Sequence, residues 1–331
     1  MTDSTGGDHR VARAPAARAV AVASLVERVL LASPRGFCAG VSRAIAVADR
    51  ALELHGPPVY IRKQIVHNVH VVAALEARGA VFVDSEEEVP REATVVFSAH
   101  GVSPAVYANA ERRRLEAIDA TCPLVTKVHS EVRHFAATGY TILVIGHLGH
   151  EEIDGTMGVA PGQTILVESI EDAETVEPPD PYRLAYATQT TLSLDDTAAI
   201  VAVLRRRFPS IVAPRREDIC YATSNRQQAV KALLDDIAFL LVVGSLNSSN
   251  SNRLVELARG AGVRAELVDD AGGIDESWFA GVTTVGLTAG ASVPEQLVAD
   301  VCDWFEERGA VIEERAFTHE EVEFRLPLAV R

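Results

Sequence analysis

Cysteine, aromatic residues and long apolar runs are scarce in this 331-residue sequence, and each scarcity excludes a class of protein. The four cysteines lie far apart with no CxxC pair, which argues against a secreted disulfide framework and predicts reduced thiols in the cytoplasm. The longest apolar runs, such as residues 237–244, fall short of the ~20 residues that cross a bilayer, so no membrane span is predicted. A Walker motif is missing and no GxGxxG follows a strand, so nucleotide binding is not indicated.

Positive charge is also in short supply. The net charge of −15 argues against a general nucleic-acid surface, because such surfaces neutralise phosphates with clustered Lys and Arg. Any anionic ligand must therefore be bound locally. Residues 1–28 contain arginines among alanines but no apolar core before a cleavage site, so a flexible leader is predicted there and not a secretory signal.

The rest of the chain alternates short β-branched runs with segments whose apolar residues recur every three or four positions. Among other elements, strands are predicted at 141–145, 239–243 and 284–287, and helices at 42–54, 124–137 and 223–237. Alternation of this kind favours parallel sheets with helices on their faces. The sequence therefore predicts an α/β protein, and its length allows two or three compact units.

Three cysteines each follow a strand or turn and precede a predicted helix: Cys38 in GFCAGVSRA, Cys122 in DATCPLVTKV and Cys220 in DICYATSNRQ. A thiolate is favoured at a helix N-terminus, where the helix dipole is positive. Zinc would accept three such ligands, and so would an iron–sulfur cluster, in which one iron would then remain open to substrate. The residues alone do not choose between the two. Cys302, inside an amphipathic stretch, is interpreted as a small buried hydrophobic residue.

Several histidines follow predicted strands in Gly-rich loops, where parallel sheets tend to bind ligands. His67 lies in VHN, His100 in SAHG, and His150 in GHLGHEEIDGT, which also contains Glu152. The histidines could bind an anion by charge or hydrogen bonding, and Glu152 could deliver a proton. Metal ligation by the histidines is the alternative.

Hydroxyls and side-chain amides are concentrated in VVGSLNSSNSNRL, where a predicted strand leads through a loop into a helix. Such residues also cap ordinary helices, but their number here exceeds the needs of one cap. With free backbone N–H groups they make a phosphate cradle that needs little net positive charge. Ser292 in TAGASVPEQ precedes another helix, and Thr190 in TQTTLSLDD follows another strand.

With these motifs the sequence closely resembles the 4-hydroxy-3-methylbut-2-enyl diphosphate reductase family, which catalyses the last step of the methylerythritol phosphate route to isoprenoids. The resemblance extends from about residue 29 to about residue 310. The motifs PRGFCAGV, VHN, SAHGVS, DATCPLVTKVH, GTMG, TQTTLS, EDICYAT, NSSNSNRL and TAGAS occur in the family's order.

The resemblance implies a pseudo-threefold assembly of three α/β domains with small, mostly parallel sheets around a central iron–sulfur cluster. The domains would cover residues 29–121, 122–216 and 217–310, each contributing one cysteine. A C-terminal tail would follow at 311–331.

Carried over by motif, the resemblance also implies three groups of site residues. Cys38, Cys122 and Cys220 would hold a 4Fe-4S cluster with one iron not ligated by cysteine. Glu152 and Thr190 would manage the proton near the substrate hydroxyl. The substrate would be held by His67, His100, His150, Thr190, Ser248, Ser249, Asn250 and Ser292.

In the implied reaction, two electrons and two protons remove the hydroxyl of the allylic diphosphate as water, giving isopentenyl and dimethylallyl diphosphates. The electrons would come from a donor such as ferredoxin or flavodoxin, and neither nucleic acid nor a membrane would take part.

The chain departs from the family pattern at four positions, none of them a predicted ligand: Lys63, Gln64, Glu151 and Leu246. Two other classes of protein remain as alternatives. A cluster-based redox sensor would need neither Glu152 nor a diphosphate cradle, and a zinc-dependent hydrolase would show no visible absorption.

Overall fold

The structure, a computed structural model, describes residues 26–331. The leader predicted for residues 1–28 lies outside this part of the chain except at its end, where Arg28 already begins a strand. The described residues form twelve strands and ten α-helices: β1 (Arg28–Ser33), α1 (Ala39–His55), β2 (Val59–Arg62), α2 (Val69–Glu76), β3 (Ala80–Val83), β4 (Thr94–Phe97), α3 (Pro104–Arg112), β5 (Glu116–Asp119), α4 (Pro123–Ala137), β6 (Thr141–Ile145), α5 (Glu151–Met157), β7 (Thr164–Val167), α6 (Ile170–Thr175), β8 (Leu184–Thr188), α7 (Leu194–Arg207), α8 (Tyr221–Lys231), β9 (Phe239–Val243), α9 (Ser249–Gly260), β10 (Arg264–Val268), β11 (Thr284–Ala289), α10 (Glu295–Glu306) and β12 (Val311–Ala316). None of these helices combines the length and the hydrophobicity that a bilayer span requires.

The strands form three sheets, with the orders β10-β9-β11-β1-β12, β3-β2-β4-β5 and β7-β6-β8. Every pairing between these named strands is parallel. The predicted α/β class with small parallel sheets is therefore confirmed.

The continuous apolar run of β9 illustrates why these segments form interior strands. Phe239, Leu241 and Val243 contribute to the hydrophobic core on one face of the five-stranded sheet, while Leu240 and Val242 contribute to the core on the other face. A parallel strand covered on both faces must be apolar at consecutive positions, because successive side chains point to opposite sides.

The five-stranded sheet draws strands from distant parts of the described chain. β1 pairs with β11, although all of its residues but Arg28 fall in the segment predicted as the first domain, 29–121. β12 pairs with β1 on the outer side, although it falls in the segment predicted as a tail, 311–331. Pairing between such distant segments leaves no local signal in the sequence, and the charged run of β12 is typical of an exposed edge strand.

Beyond β12, residues 317–331, here called the C-terminal strap, return to the first unit. Val330 is completely buried in the core that contains Val47 and Ile61. Earlier in the strap, Glu320 pairs with the buried guanidinium of Arg226 at 3.1 Å. The strap therefore connects helix α8 with the core beneath helix α1.

The carboxyl ends of parallel strands lead into loops that place side chains at helix N-termini, which is where α/β proteins bind ligands. Helices α1, α4, α5, α8 and α9 begin directly after their N-cap residues, which are Cys38, Cys122, His150, Cys220 and Ser248. All five N-cap residues line one cavity. Five positive helix ends therefore point at a common space.

Candidate functional site

The cavity lies between the three sheets' helices and contains about 760 Å³ of space free of protein atoms, part of it open to solvent. It is lined by every residue that the sequence singled out for the site: Cys38, Cys122, Cys220, His67, His100, His150, Glu152, Thr190, Ser248, Ser249, Asn250 and Ser292. These residues are spread along the chain from Cys38 to Ser292. The fold thus assembles one site from separate motifs.

The three cysteines occupy equivalent positions at the N-termini of α1, α4 and α8, and none forms a disulfide. The Cys38 Sγ accepts the Val41 backbone N–H at 3.5 Å. The Cys220 Sγ accepts the Thr223 backbone N–H at 3.4 Å and lies 3.2 Å from the Thr223 hydroxyl. Each contact is of the kind that stabilises a thiolate at a helix start.

Burial opposes this stabilisation, because it disfavours the charged thiolate form of the sulfurs. It raises the pKa of Cys122 to about 12 and that of Cys220 to about 11, and repulsion from neighbouring thiolates adds to both shifts. Without a positive partner, these two sulfurs are therefore neutral thiols at neutral pH. A group that supplies positive charge between them would be needed to hold them as thiolates.

Gly40 shows how closely the protein packs around the sulfurs. A Cβ built at this glycine would lie 2.7 Å from the Cys122 Sγ and 3.7 Å from the Cys38 Sγ. Helix α1 therefore needs the missing side chain to approach the sulfur of α4. Three soft sulfur ligands that line one cavity, approached by a residue without a side chain, fit an iron–sulfur group.

The three histidines form a second cluster in the same cavity. The rings of His67 and His100 are stacked with 4.1 Å between centroids, and the His150 ring stands edge-on to both, at 5.5 and 5.8 Å. The His150 Nδ1 accepts the Glu152 backbone N–H at 3.1 Å, so a neutral His150 carries its proton on Nε2 and can donate it to a ligand.

Burial lowers the pKa of all three histidines, to about 3 for His67, about 4 for His100 and about 3 for His150. Repulsion between the rings contributes to the shifts of His67 and His150. The Glu151 Oε2 lies 3.0 Å from the His100 Nδ1, and burial raises the pKa of this carboxyl as well. Such a cluster gains charge readily when an anion enters, because the anion favours the protonated rings.

Metal ligation by the histidines was the alternative, and ligand atoms of His67, His100 and Glu151 do lie within 4.8 Å of one another. The ring planes of His67 and His100, however, are only 20° from parallel. Ring-nitrogen lone pairs lie in the ring plane, so those of stacked rings run side by side and do not converge on one ion as a tetrahedral site requires. The arrangement favours anion binding.

Glu152 is buried between α5 and the loop after β8. Its two carboxylate oxygens accept hydrogen bonds from the Thr190 backbone N–H at 2.6 Å and from the Thr190 hydroxyl at 2.9 Å. Burial raises the pKa of Glu152 to about 7, against the lowering effect of these two bonds. The group can therefore hold or release a proton near neutral pH.

A polar wall completes the cavity. Ser248 caps helix α9, Asn250 accepts the Ala291 backbone N–H at 2.9 Å, and Ser292 donates to the His67 carbonyl at 2.8 Å. Ser249 contributes its hydroxyl, which accepts a hydrogen bond from Thr191 at 3.0 Å. Hydroxyls, amides and a helix N-terminus form an anion site without Lys or Arg.

Comparison with known proteins decides the family. A family model described as LytB protein matches residues 29–306. The chain belongs to the LytB family. The 4-hydroxy-3-methylbut-2-enyl diphosphate reductase of Acidothermus cellulolyticus is 58% identical over 306 residues, which cover 92% of this chain and 90% of that protein. The enzyme of the same name from Mycobacterium ulcerans is 56% identical over 306 residues, covering 92% of both.

Two solved structures of enzymes with the same function in their names are similar to this chain. The E-1-hydroxy-2-methyl-but-2-enyl-4-diphosphate reductase of Plasmodium falciparum superimposes with a TM-score of 0.89 and 38% identity, covering 91% of this chain and 96% of that one. A second structure, described as (E)-4-hydroxy-3-methyl-but-2-enyl diphosphate reductase, the terminal enzyme of the non-mevalonate pathway, gives a TM-score of 0.60 and 30% identity, covering 85% of this chain and 99% of that one.

In this member of the LytB family, three residues that contact the site were not predicted as site residues. Thr223 contacts the Cys220 sulfur and Thr191 bonds Ser249, and both line the cavity; Glu151 bonds His100 from outside the lining. Each lies within three residues of a predicted site residue. Its position close to a helix N-terminus was therefore the only local feature that could have predicted its contact with the site. His147 belongs to the same Gly-rich loop as His150 but does not line the cavity.

Proposed function

We propose that this protein is a 4-hydroxy-3-methylbut-2-enyl diphosphate reductase. Two electrons and two protons would replace the allylic hydroxyl by hydrogen, giving isopentenyl or dimethylallyl diphosphate and one water. The observation that carries the proposal is a single cavity that combines three cysteine sulfurs, an anion site of histidines and hydroxyls, and a buried carboxylic acid. The family names given above support the same reaction.

The three cysteines would hold a 4Fe-4S cluster in which one iron has no cysteine ligand. When bound, this group supplies electrons and a Lewis acid next to the substrate hydroxyl. An electron donor such as ferredoxin or flavodoxin would deliver the electrons.

The protein's own residues would bind and orient the substrate. His67, His100, His150 and the polar wall would hold the diphosphate through many short hydrogen bonds, which a protein of net charge −15 must supply locally. Glu152 would hold a proton for the departing hydroxyl, because hydroxide is a poor leaving group and burial raises the pKa of this carboxyl to about 7, so that a part of it is protonated at neutral pH. Thr190 would fix the orientation of that carboxyl.

An anaerobic turnover assay tests the proposal. The purified protein, with reduced methyl viologen as electron source, should convert the allylic diphosphate into the two five-carbon products, measured by gas chromatography after phosphatase treatment. Cys122→Ser should abolish conversion, whereas Cys302→Ala, which changes a cysteine packed outside the cavity against the core of the five-stranded sheet, should retain it. A protein with a full metal site and no conversion would favour the sensor or zinc alternatives.

A further inference from the structure

A second groove lies on the outer side of the unit that contains β8, away from the substrate cavity. It is an open depression lined by residues of β8, of α7 and of the segment that connects α7 to α8. Its floor is apolar, with Val201, Ala213 and Ile219, and its rim carries Arg205, Arg215 and Arg216. We call it the arginine groove.

The three arginines of the rim are exposed, and no carboxylate within the described residues forms an ion pair with any of them. The groove also contains Glu217, which is exposed, and Asp218, whose carboxylate is buried and pairs with Lys127 at 2.6 Å. Three exposed arginines against one exposed carboxylate leave the rim positive, on a protein whose net charge is −15.

Hydrogen bonds and the chain itself connect the wall of the groove with the segments that carry Cys122 and Cys220. The Lys127 Nζ, on the helix that Cys122 caps, donates to the Arg216 carbonyl at 2.5 Å and to Asp218. The segment then runs into Cys220, whose backbone N–H donates to the Thr190 carbonyl at 3.1 Å. Ile219 lines the groove, and the next residue, Cys220, lines the cavity, so the two are separated by one step of the chain at this point.

We propose that the arginine groove docks the electron donor, an acidic carrier protein that delivers one electron at each encounter. This inference rests on the proposed function, which consumes two electrons per turnover, so two carriers are each oxidised by one electron. Arginine forks pair with carboxylates in bidentate geometry, and arginines around an apolar centre are typical of protein interfaces. The apolar side chains between the arginines suit the surface of a folded protein, whereas a nucleic-acid backbone would leave them uncovered.

Charge reversal tests the docking with the whole, cluster-loaded protein. The double variant Arg215→Glu/Arg216→Glu should lower kcat/KM for a reduced acidic 2Fe-2S ferredoxin by roughly 10-fold or more at low ionic strength, because electrostatic steering of this kind is worth about 10–10³ in association rate. Turnover with reduced methyl viologen should stay unchanged, since a small dye needs no docking surface. Wild-type turnover with ferredoxin should fall steeply with added salt.

Two matched variants complete the design. Arg215→Lys/Arg216→Lys keeps the charge and should retain most of the ferredoxin rate. Arg91→Glu reverses an exposed arginine before the first residue of β4, away from the groove, and should behave as wild type.

Equal ferredoxin rates in the charge-reversed and wild-type proteins would overturn the docking proposal. An equal loss of both the ferredoxin and the viologen rates would also overturn it, because the arginines would then act on the site itself. Calorimetric binding of oxidised ferredoxin needs no turnover and is expected only with the arginines intact. If the wild type failed with viologen, the proposed function would be contradicted, while this binding measurement would still decide the docking.

Discussion

Glu152 combines complete enclosure with a hydrogen-bond pattern that fixes both carboxylate oxygens on Thr190. Since burial brings its pKa to about 7, the side chain is partly protonated in the pH range where cells work. The side chain also lines the cavity, so a proton that it holds can pass to a group bound there. This is the property that proton transfer to a leaving hydroxyl requires.

We predict that Glu152→Gln keeps the cluster's absorption and much of the substrate binding but lowers turnover by roughly 10²–10⁴, the usual contribution of a positioned general acid. The amide preserves the shape and removes the proton. Glu307→Gln, at the exposed end of α10, serves as the control. Single-turnover rates and substrate affinity should be measured together, and a near-normal reduction rate in a fully loaded variant would remove Glu152 from the mechanism.

For the histidine cluster we predict that the binding of an anion is coupled to the uptake of protons. His67, His100 and His150 have pKa values of about 3 to 4 in the free cavity, so they are neutral at pH 7. Pyrophosphate would raise these pKa values, and binding should therefore take up protons and weaken as the pH rises. Calorimetry in two buffers with different ionisation enthalpies measures this uptake, with the exposed His134→Gln variant as control. Identical heats in both buffers would contradict it.

Among the elements, five helices begin at one cavity, so an acidic protein offers local positive charge there. Under the proposed function, these helix ends would offer backbone N–H groups and partial positive charge to the cysteine thiolates and to the diphosphate. Cys38, Cys122 and Cys220 are N-caps, so the residue that would bind metal is also the residue that starts each helix. The turn that starts each of these helices therefore also fixes the position of its cysteine sulfur.

The close approach of α1 to α4 predicts that Gly40→Ala damages the site. The added Cβ would lie 2.7 Å from the Cys122 sulfur, so either that sulfur or one of the two helices must shift. Overpacking of this kind typically costs about 1–3 kcal/mol, and here it also displaces a proposed ligand. Gly260→Ala, where a Cβ meets no atom within 4 Å, is the matched control. Iron content per chain should fall in the first variant and remain normal in the second, and full iron content in Gly40→Ala would refute the prediction.

Elements with strong local patterns were predicted well from the sequence. The apolar runs Thr141–Ile145 and Phe239–Val243 are strands with the predicted bounds. Helices α5 and α6 were not predicted, because they have only seven and six residues, and α5 begins inside a Gly-rich loop. The partners of β1 could not be predicted, because they depend on packing between chain segments far apart in sequence.

Site residues were easier to predict than element pairing, for a physical reason. Their residue types and their positions after strands are visible locally, and the parallel sheets then bring strand ends together. Which groups bond each other was not visible. The contact of Glu151 with His100 and the two bonds from Thr190 to Glu152 depend on how α5 packs against the loop after β8.

At the scale of the whole molecule, the C-terminal strap holds the first and last units together beside the cavity. Arg226 is completely buried and donates to the Gly36 carbonyl at 2.7 Å, two residues before Cys38. Glu320 supplies the negative charge that this guanidinium needs. The pair therefore links the segment around Cys38 with the helix that Cys220 starts.

Removing one partner of this pair should be costly. We predict that Glu320→Ala lowers the stability of the protein by about 3–5 kcal/mol, because it leaves a buried charge without its partner. Glu321→Ala, whose side chain is 86% exposed and lies 4.0 Å from His319, should have almost no effect. Thermal unfolding of the two variants compares them, and equal midpoints would show that the strap pair does not stabilise the fold.

Under the proposed function, three helix N-termini together hold one iron–sulfur cluster with an iron left for the substrate. Mössbauer spectroscopy of anaerobically purified protein enriched in ⁵⁷Fe, combined with sulfide analysis, tests this arrangement. We expect sulfide equal to iron and one iron site whose signal changes when the allylic diphosphate is added, while the other sites stay the same. Zinc without sulfide, or iron sites that are all unchanged by the substrate, would show that this arrangement is wrong.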